Sequence, residues 1–314
     1  MIRTYHSGDE AAFIKTWNES MPADGITEKV FINRILTDAN FDPDGILIAE
    51  EEGRMVGGLV AIVRKTPMSG TDLEPENGWV TAFFVHPDAR RRGIGRRLMD
   101  AADAFFRKHH RTTIYFASYA PNYFVPGIDR DLYPAGAALL EAAEFTKLYQ
   151  CAAMDKNLVG FSIPQDVREV EAARRKEGYV VENLTLPYVS SVIGFNNEEF
   201  DPDWTRAIRD ALKSDVPLSN VLIARRGDTV VGFCIYGGYD GVGERFGPFG
   251  VAESLRGTGL GKVLLYRCLE QMRHDGLHTA WFLWTGEKEP AGHLYLRAGF
   301  TVTRRFDVMK KILD

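Results

Sequence analysis

The sequence predicts a mixed α/β (α+β) fold built from two tandem domains, each a twisted mixed sheet flanked by helices. Three observations predict it. A strand end, a glycine-rich turn and a helix start occur twice, at Phe84 to Arg96 and at Phe249 to Lys262, and both copies contain Arg, two residues, Gly, one residue, Gly. Around each copy, β-rich runs alternate with amphipathic helical stretches. The 314 residues suit about two domains of roughly 100 to 200 residues each. The expected partition is an N-terminal domain at 1–155, a linker and helix at 156–178, and a C-terminal domain at 179–314.

In the first domain, residues 2–5 read as a short strand. Ser7-Gly8-Asp9 then offers a cap before a helix over Glu10 to Ser20, whose apolar face is Ala12, Phe13 and Trp17. Thr27 caps a second helix, with Val30, Phe31, Arg34 and Ile35 at helical spacing. Ile46 to Glu50 and Met55 to Arg64 are β-rich runs split by the turn Glu51-Glu52-Gly53-Arg54, and Trp79 to Val85 is the next strand. Arg96 to His110 is helical, because Leu98, Ala101, Ala102 and Phe105 fall on one face. Thr112 to Ser118 returns to strand, and Pro121 to Asp129, with its Pro-Gly turn signal, reads as an insertion. A helix over Pro134 to Glu144 and a strand over Phe145 to Met154 close the domain.

Lys156 to Pro164 reads as a linker before a charged helix at Gln165 to Lys176. Strands follow at Val180 to Leu186, Asn220 to Arg225 and Val230 to Gly237, with a helix at Trp204 to Leu212. After the second glycine turn, Leu265, Cys268, Leu269 and Met272 keep helical spacing. Ala280 to Trp284 is a strand, His293 to Ala298 a helix stopped by Gly299, and Phe300 to Ile312 the last strand region.

The repeated turn carries the chemistry. Glycine there admits positive φ and lets the backbone approach a ligand, while the helix that follows presents amides without intrahelical partners and roughly half a positive charge. A phosphate is the natural guest. The arginines and Lys262 add charge of the same sign. A Walker A loop does not fit, since Arg256 stands where its first Gly belongs and Val263 where Ser or Thr belongs. A dinucleotide fingerprint fails as well, with Leu98 and Leu264 in place of its third Gly.

On these residues the chain resembles the GNAT superfamily of acyl-CoA-dependent acetyltransferases, whose pyrophosphate loop reads Arg or Gln, two residues, Gly, one residue, Gly or Ala. Arg90, Gly93 and Gly95 match it, and so do Arg256, Gly259 and Gly261. The order of strands and helices in each half is also that of a GNAT domain. The resemblance implies acetyl-CoA as co-substrate, held in the first half by Phe84, Val85, Arg90, Arg91, Arg92, Gly93, Ile94, Gly95 and Arg96. In the second half it implies Gly250, Val251, Arg256, Gly257, Thr258, Gly259, Leu260, Gly261 and Lys262. The strand before each loop is expected to bulge and to pair with the pantetheine arm, and Gly250 suits such a bulge.

The resemblance further implies acetyl transfer to a primary amine of a small molecule, by direct attack on the thioester. Tyr295, within Leu294-Tyr295 and ahead of Gly299-Phe300, matches the residue that protonates the leaving thiolate. Leu140 and Glu144 stand at the corresponding places of the first half, so that half is expected to bind acyl-CoA without turnover, or to use Tyr133 or Tyr123. Lys288 replaces the family's Asn. The base position holds Arg245; Glu244 is the candidate base, with Glu287, Glu289, His293 and a water chain as rivals. The second domain is therefore the expected catalyst. A non-catalytic acyl-CoA sensor stays open as the other class of function.

Composition narrows the partners. Lys plus Arg total 38 against 43 Asp plus Glu, and a net charge of −5 gives no general attraction to nucleic acid or to an anionic membrane. No stretch approaches the roughly 20 apolar residues of a membrane span, and the first residues lack the apolar run of a signal peptide, so a cytoplasmic protein is expected. Cys151, Cys234 and Cys268 are too scattered for a disulfide framework or a metal site and read as core residues. No metal is expected, and a homodimer stays open.

Overall fold

The structure, a computed structural model, describes residues 1–68 and 70–313. The chain divides into two compact units: unit 1 holds Met1–Pro67, residues 71–151 and the C-terminal segment from Arg304, and unit 2 is chiefly Ala152–Thr303. The elements of the first half are β1 (Ile2–Thr4), α1 (Glu10–Ser20), α2 (Glu28–Phe31), β2 (Ile46–Glu51), β3 (Arg54–Ile62), β4 (Asn77–Val85), α3 (Ile94–Lys108), β5 (Thr113–Phe116), α4 (Pro134–Ala142) and β6 (Thr146–Asn157). Those of the second are α5 (Gln165–Lys176), β7 (Tyr179–Asn183), α6 (Val189–Glu199), α7 (Pro202–Lys213), β8 (Val221–Arg226), β9 (Thr229–Tyr236), β10 (Phe246–Val251), α8 (Leu260–His274), β11 (Thr279–Thr285), α9 (Pro290–Arg297) and β12 (Thr301–Ile312).

In unit 1 the strands lie in the order β1, β2, β3, β4, β5, antiparallel except where β4 runs parallel to β5. Alternation along β2 sends successive side chains to opposite faces. Leu47 and Ala49 join a core with Leu98 and Phe106 of α3, whereas Ile46 and Ile48 join Phe13 and Trp17 of α1. The parallel pair is short. Asn77–Val80 pair with Thr113–Phe116, Thr81 is an extra residue in the β3–β4 register, and Ala117 turns away at φ +63°. Beyond Val80 the strands part and leave a wedge along Thr81 to Val85.

The C-terminal segment closes the other side of β5. Met309–Ile312 run antiparallel to Phe116–Thr113, and Ile128 and Asp307 exchange backbone bonds of 3.0 and 2.9 Å. The Asp307 side chain is almost fully buried and accepts from Arg130, Lys147 and Gln150. Burial pushes its pKa up, but these donors outweigh burial and hold it below the usual carboxylate value. Its contribution is therefore complete above the ordinary carboxylate pKa and is lost as the pH falls through the lowered folded value. Asp307→Asn is expected to cost about 1–2 kcal/mol at neutral pH, because both cationic partners are partly solvated. Urea melts should show that gap to wild type closing in acid.

Unit 2 repeats the plan. Its antiparallel sheet runs β10, β9, β8, β7, and β11 lies antiparallel to the second half of β6. Leu222 and Ala224 face α8, whereas Val221 and Ile223 face α6 and α7. All three cysteines are buried.

The division differs from the sequence partition in three places. The boundary falls within β6, at Cys151 and Ala152, rather than after residue 155. Lys156 to Pro164 is not a free linker, since Leu158 and Ile163 are 0% and 4% exposed in the core of unit 2 and Val167 anchors α5 there. The segment from Arg304, expected in the C-terminal domain, belongs to unit 1 because its ladder partner is β5. Gly250 does not form the bulge in β10. The register shifts between Phe246 and Phe249, while Gly250 pairs with Phe233 and would place a Cβ 2.4 Å from the Phe200 ring. Glycine is needed there for close packing.

Candidate functional site

A cavity of about 690 Å³ fills the wedge of unit 1. Phe84 and Val85 of β4 line it, as do Arg90, Arg91, Gly93, Ile94, Gly95 and Arg96 of the turn and the start of α3. Arg92 is directed away from it, donating to the Asp88 carbonyl at 2.8 Å and to Glu51 at 3.4 Å. The opposite wall is α4, and Phe124, Val125 and Ile128 of the inserted segment close one side.

Gly93 caps α3 at φ +75°, and Arg91 takes φ +65° beside it. Among the described residues, no backbone carbonyl accepts from the amides of Arg91 to Arg96. These amides and the helix end make an anion seat. Arg90 donates to the carbonyls of Val85 (3.0 Å) and Ser20 (2.9 Å), so its charge is held in place without being neutralised. A Cβ on Gly95 would lie 2.6 Å from Leu139, so glycine there lets α4 close over the turn.

Farther along α4 the cavity becomes polar. Arg304 donates to both oxygens of Asp24, at 2.6 and 3.0 Å, and to Asp129 at 2.8 Å. The Tyr133 hydroxyl donates to Asp24 at 2.7 Å; burial first, and this bond second, push its pKa well above the ordinary phenol value. Tyr123 is buried and does not line the cavity. Sequence reasoning assigned no role to Asp24, Asp129 or Arg304. Asp24 and Arg304 meet across 280 residues, and neither sits in a motif.

In unit 2 the same turn appears with Gly257 at φ +81° and Gly259 at φ +87° capping α8. Its cations are matched by acids, Arg256 by Glu253 at 3.1 Å and Lys262 by Asp166 at 2.5 Å. The Thr258 hydroxyl caps the turn by donating to the Leu255 carbonyl at 2.7 Å, and Leu260 buries its side chain as the first anchor of α8. Gly261 packs near Val251 and Phe249.

The two α4-type helices correspond. Phe145 donates to the Leu140 carbonyl and Phe300 to that of Tyr295, each at 3.0 Å, and Glu144 (φ +69°) takes the left-handed position of Gly299 (φ +86°). Leu140 thus occupies the place of Tyr295 in the fold as well as in the sequence. Tyr295 is packed among Phe246, Phe249, Phe282 and Phe300 with ring centroids 4.5–6.0 Å away, and burial pushes its pKa well above that of free tyrosine. Glu244 is half-buried just before β10, where its carbonyl accepts from Trp281 at 3.0 Å, and Arg245 is buried over the Tyr239 and Trp281 rings. Lys288 is exposed. Among the described residues no helix is long and apolar enough to cross a membrane.

Comparison with known proteins agrees with the tandem fold. The model of the Acetyltransferase (GNAT) family matches residues 6–124 and 188–300. A mycothiol acetyltransferase of Corynebacterium glutamicum is 27% identical over 255 residues, covering 78% of this chain and 77% of that protein. One of Rhodococcus erythropolis is 25% identical over 314 residues, covering 90% and 95%. Among solved structures, a GCN5-related glucosamine N-acetyltransferase region of a fungal multi-domain GH3 beta-N-acetylglucosaminidase superposes with TM-score 0.82 at 17% identity over 99% of this chain, which spans 38% of that longer one. A tandem GNAT protein from the clavulanic acid biosynthesis pathway gives 0.65 at 17% identity over 99% and 98%. At those identities the structures speak for the fold alone. The loop repeated at Gly93 and Gly259, the two sheets with their helices and the doubled family match make this chain a tandem member of the GNAT acetyltransferase family, distantly related to mycothiol acetyltransferase.

Proposed function

We propose that this chain moves the acetyl group of acetyl-CoA to a primary amine of a small molecule, with both substrates seated in the cavity of unit 1. The observation that carries the reading is the wedge itself: an apolar cavity entered past unpaired loop amides and an Arg90 whose charge is not neutralised. Amides 91–96 suit the pyrophosphate. The β4 edge from Thr81 to Val85 suits the pantetheine arm, which pairs as an added strand would. The acceptor ammonium gives a proton to water, and its nitrogen bonds the acetyl carbonyl carbon. The C–S bond breaks, the thiolate takes a proton from an acid of the site, and the new amide nitrogen sheds its second proton, which restores that acid. Tyr133 is the phenol among the described hydroxyl residues lining this cavity (with Ser20 and Thr81), and its raised pKa keeps it protonated for that step. Tyr133→Phe is expected to lower kcat by ~10²-fold while leaving acetyl-CoA affinity unchanged.

A second reading places turnover in unit 2, with Tyr295 as the acid and Glu244 as the base; the dry, protonated Tyr295 favours it. There Tyr295→Phe, rather than Tyr133→Phe, would lose the ~10²-fold. A thiol-release assay with a panel of amines tests both. Acetyl-CoA binding without thiol release from any amine would instead make the chain an acyl-CoA sensor and overturn the enzymatic reading.

A further inference from the structure

Beside Tyr133 the cavity of unit 1 holds charged groups that the transfer step does not use. Leu139 meets Gly95 at the loop, whereas Tyr133 lies six residues earlier on the same wall, about 9 Å away at the helical rise. Around Tyr133 sit two carboxylates and one guanidinium, Asp24, Asp129 and Arg304. Tyr133 is neutral, so within this cluster the carboxylates outnumber the guanidinium by one, opposite in sign to the loop, while the Arg34 guanidinium lies over the Phe124 ring.

A carboxylate offers about four lone-pair sites. Asp24 accepts from Tyr133 and twice from Arg304, and Asp129 accepts from the amides of Asp131 and Leu132 and from Arg304 Nε. Each keeps about one free site. Asp129 is 4% exposed, so water screens that spare acceptor little. Beside it the wall is aromatic: Trp17, Phe84 and Phe124 line the cavity, with the Trp17 and Phe124 rings 4.8 Å apart.

Resting on the reading that acetyl-CoA occupies this cavity, we propose that Asp24 and Asp129 bind the ammonium group of the acceptor and that the aromatic wall holds its apolar body. The substrate class is a monoamine with an apolar or aromatic body and no anionic group. Arg304 is a positioning residue that fixes the two carboxylates at one spacing. An amine bearing a carboxylate or phosphate is disfavoured by the surplus charge.

The test titrates full-length protein, in the presence of coenzyme A to prevent turnover, with phenethylamine and separately with phenylalanine. Phenethylamine is expected to bind about tenfold more tightly than phenylalanine or better, and Asp24→Asn and Asp129→Asn each to weaken it about tenfold. Acetyl-CoA affinity should stay unchanged in both variants, and melting curves establish that they fold. Equal binding of the two probes, binding of neither, or unchanged phenethylamine affinity in a folded variant overturns the proposal. If neither variant folds, the discrimination between the probes decides. Failure of acetyl-CoA to bind wild type, or its binding with no effect of Gly93→Glu, is a distinct result that removes the cofactor reading instead.

Discussion

Gly93→Glu is expected to weaken acetyl-CoA binding to unit 1 about 100-fold and to leave the fold standing. A side chain at φ +75° costs about 1–2 kcal/mol of backbone strain, but a Cβ there reaches nothing nearer than Arg97 Nη1 at 3.4 Å, and Arg91 already carries a side chain at φ +65° in the same turn. The new carboxylate sits where amides 91–96 point. It takes the donors meant for phosphate and repels the phosphate as well. One unit charge at about 5 Å, at an effective dielectric of about 20, is worth about 3 kcal/mol, or about 100-fold in affinity.

Gly259→Glu behaves differently. Its Cβ would lie 2.8 Å from Val170 of α5 at φ +87°, so the expected cost is stability in unit 2, with cofactor binding in unit 1 preserved. Calorimetric titration of acetyl-CoA into wild type and both variants separates the outcomes. Binding lost only with Gly93→Glu places the cofactor in unit 1; binding lost only with Gly259→Glu moves the reaction to unit 2 and Tyr295. Two sites, each lost with its own glycine, make the loops a working pair. No binding at all would sink the acetyltransferase reading.

What the sequence made legible was local. The Arg-x-x-Gly-x-Gly turns, the α1 boundaries at Glu10 and Ser20 and the α5 boundaries at Gln165 and Lys176 follow from spacing within a few turns of chain. The correspondence of Leu140 with Tyr295 was legible for the same reason, since a fixed count to Phe145 or Phe300 defines it. α6 escaped notice because Ser190, Ser191, Gly194, Asn196 and Asn197 blur its apolar period, and only packing on β9 shows which face is buried. The polar end of the cavity was illegible in principle. Asp24, Asp129 and Arg304 come from a turn after α1, the insertion and the closing strand, and their chemistry exists only once the strand lies beside β5. The same long-range pairing defeated the domain partition.

That pairing makes the C-terminal segment the most consequential short stretch of the chain. Removal of the residues from Arg304 onward deletes the ladder partner of β5 and the side chains of Phe306, Val308, Met309 and Leu313, of which the most exposed is Leu313 at 7%. At about 1.5–3 kcal/mol each, these four burials amount to roughly 6–12 kcal/mol. A domain's entire stability is about 5–15 kcal/mol, so unit 1 should lose its cooperative transition. Among the described residues, none beyond Thr303 contributes to either core cluster of unit 2, which should melt on its own. The measurement is urea unfolding followed by amide exchange of β2 to β5 in the truncated chain, with a peptide of residues 304–313 added to restore protection. Phe306→Ala is the graded version, with an expected cost of about 3–5 kcal/mol for truncating a fully buried ring. A truncated chain that keeps wild-type exchange protection in β5 would show that the ladder is dispensable. Loss of protection in β5 together with loss of acetyl-CoA binding would show instead that the last strand of the chain builds the cavity of its first unit.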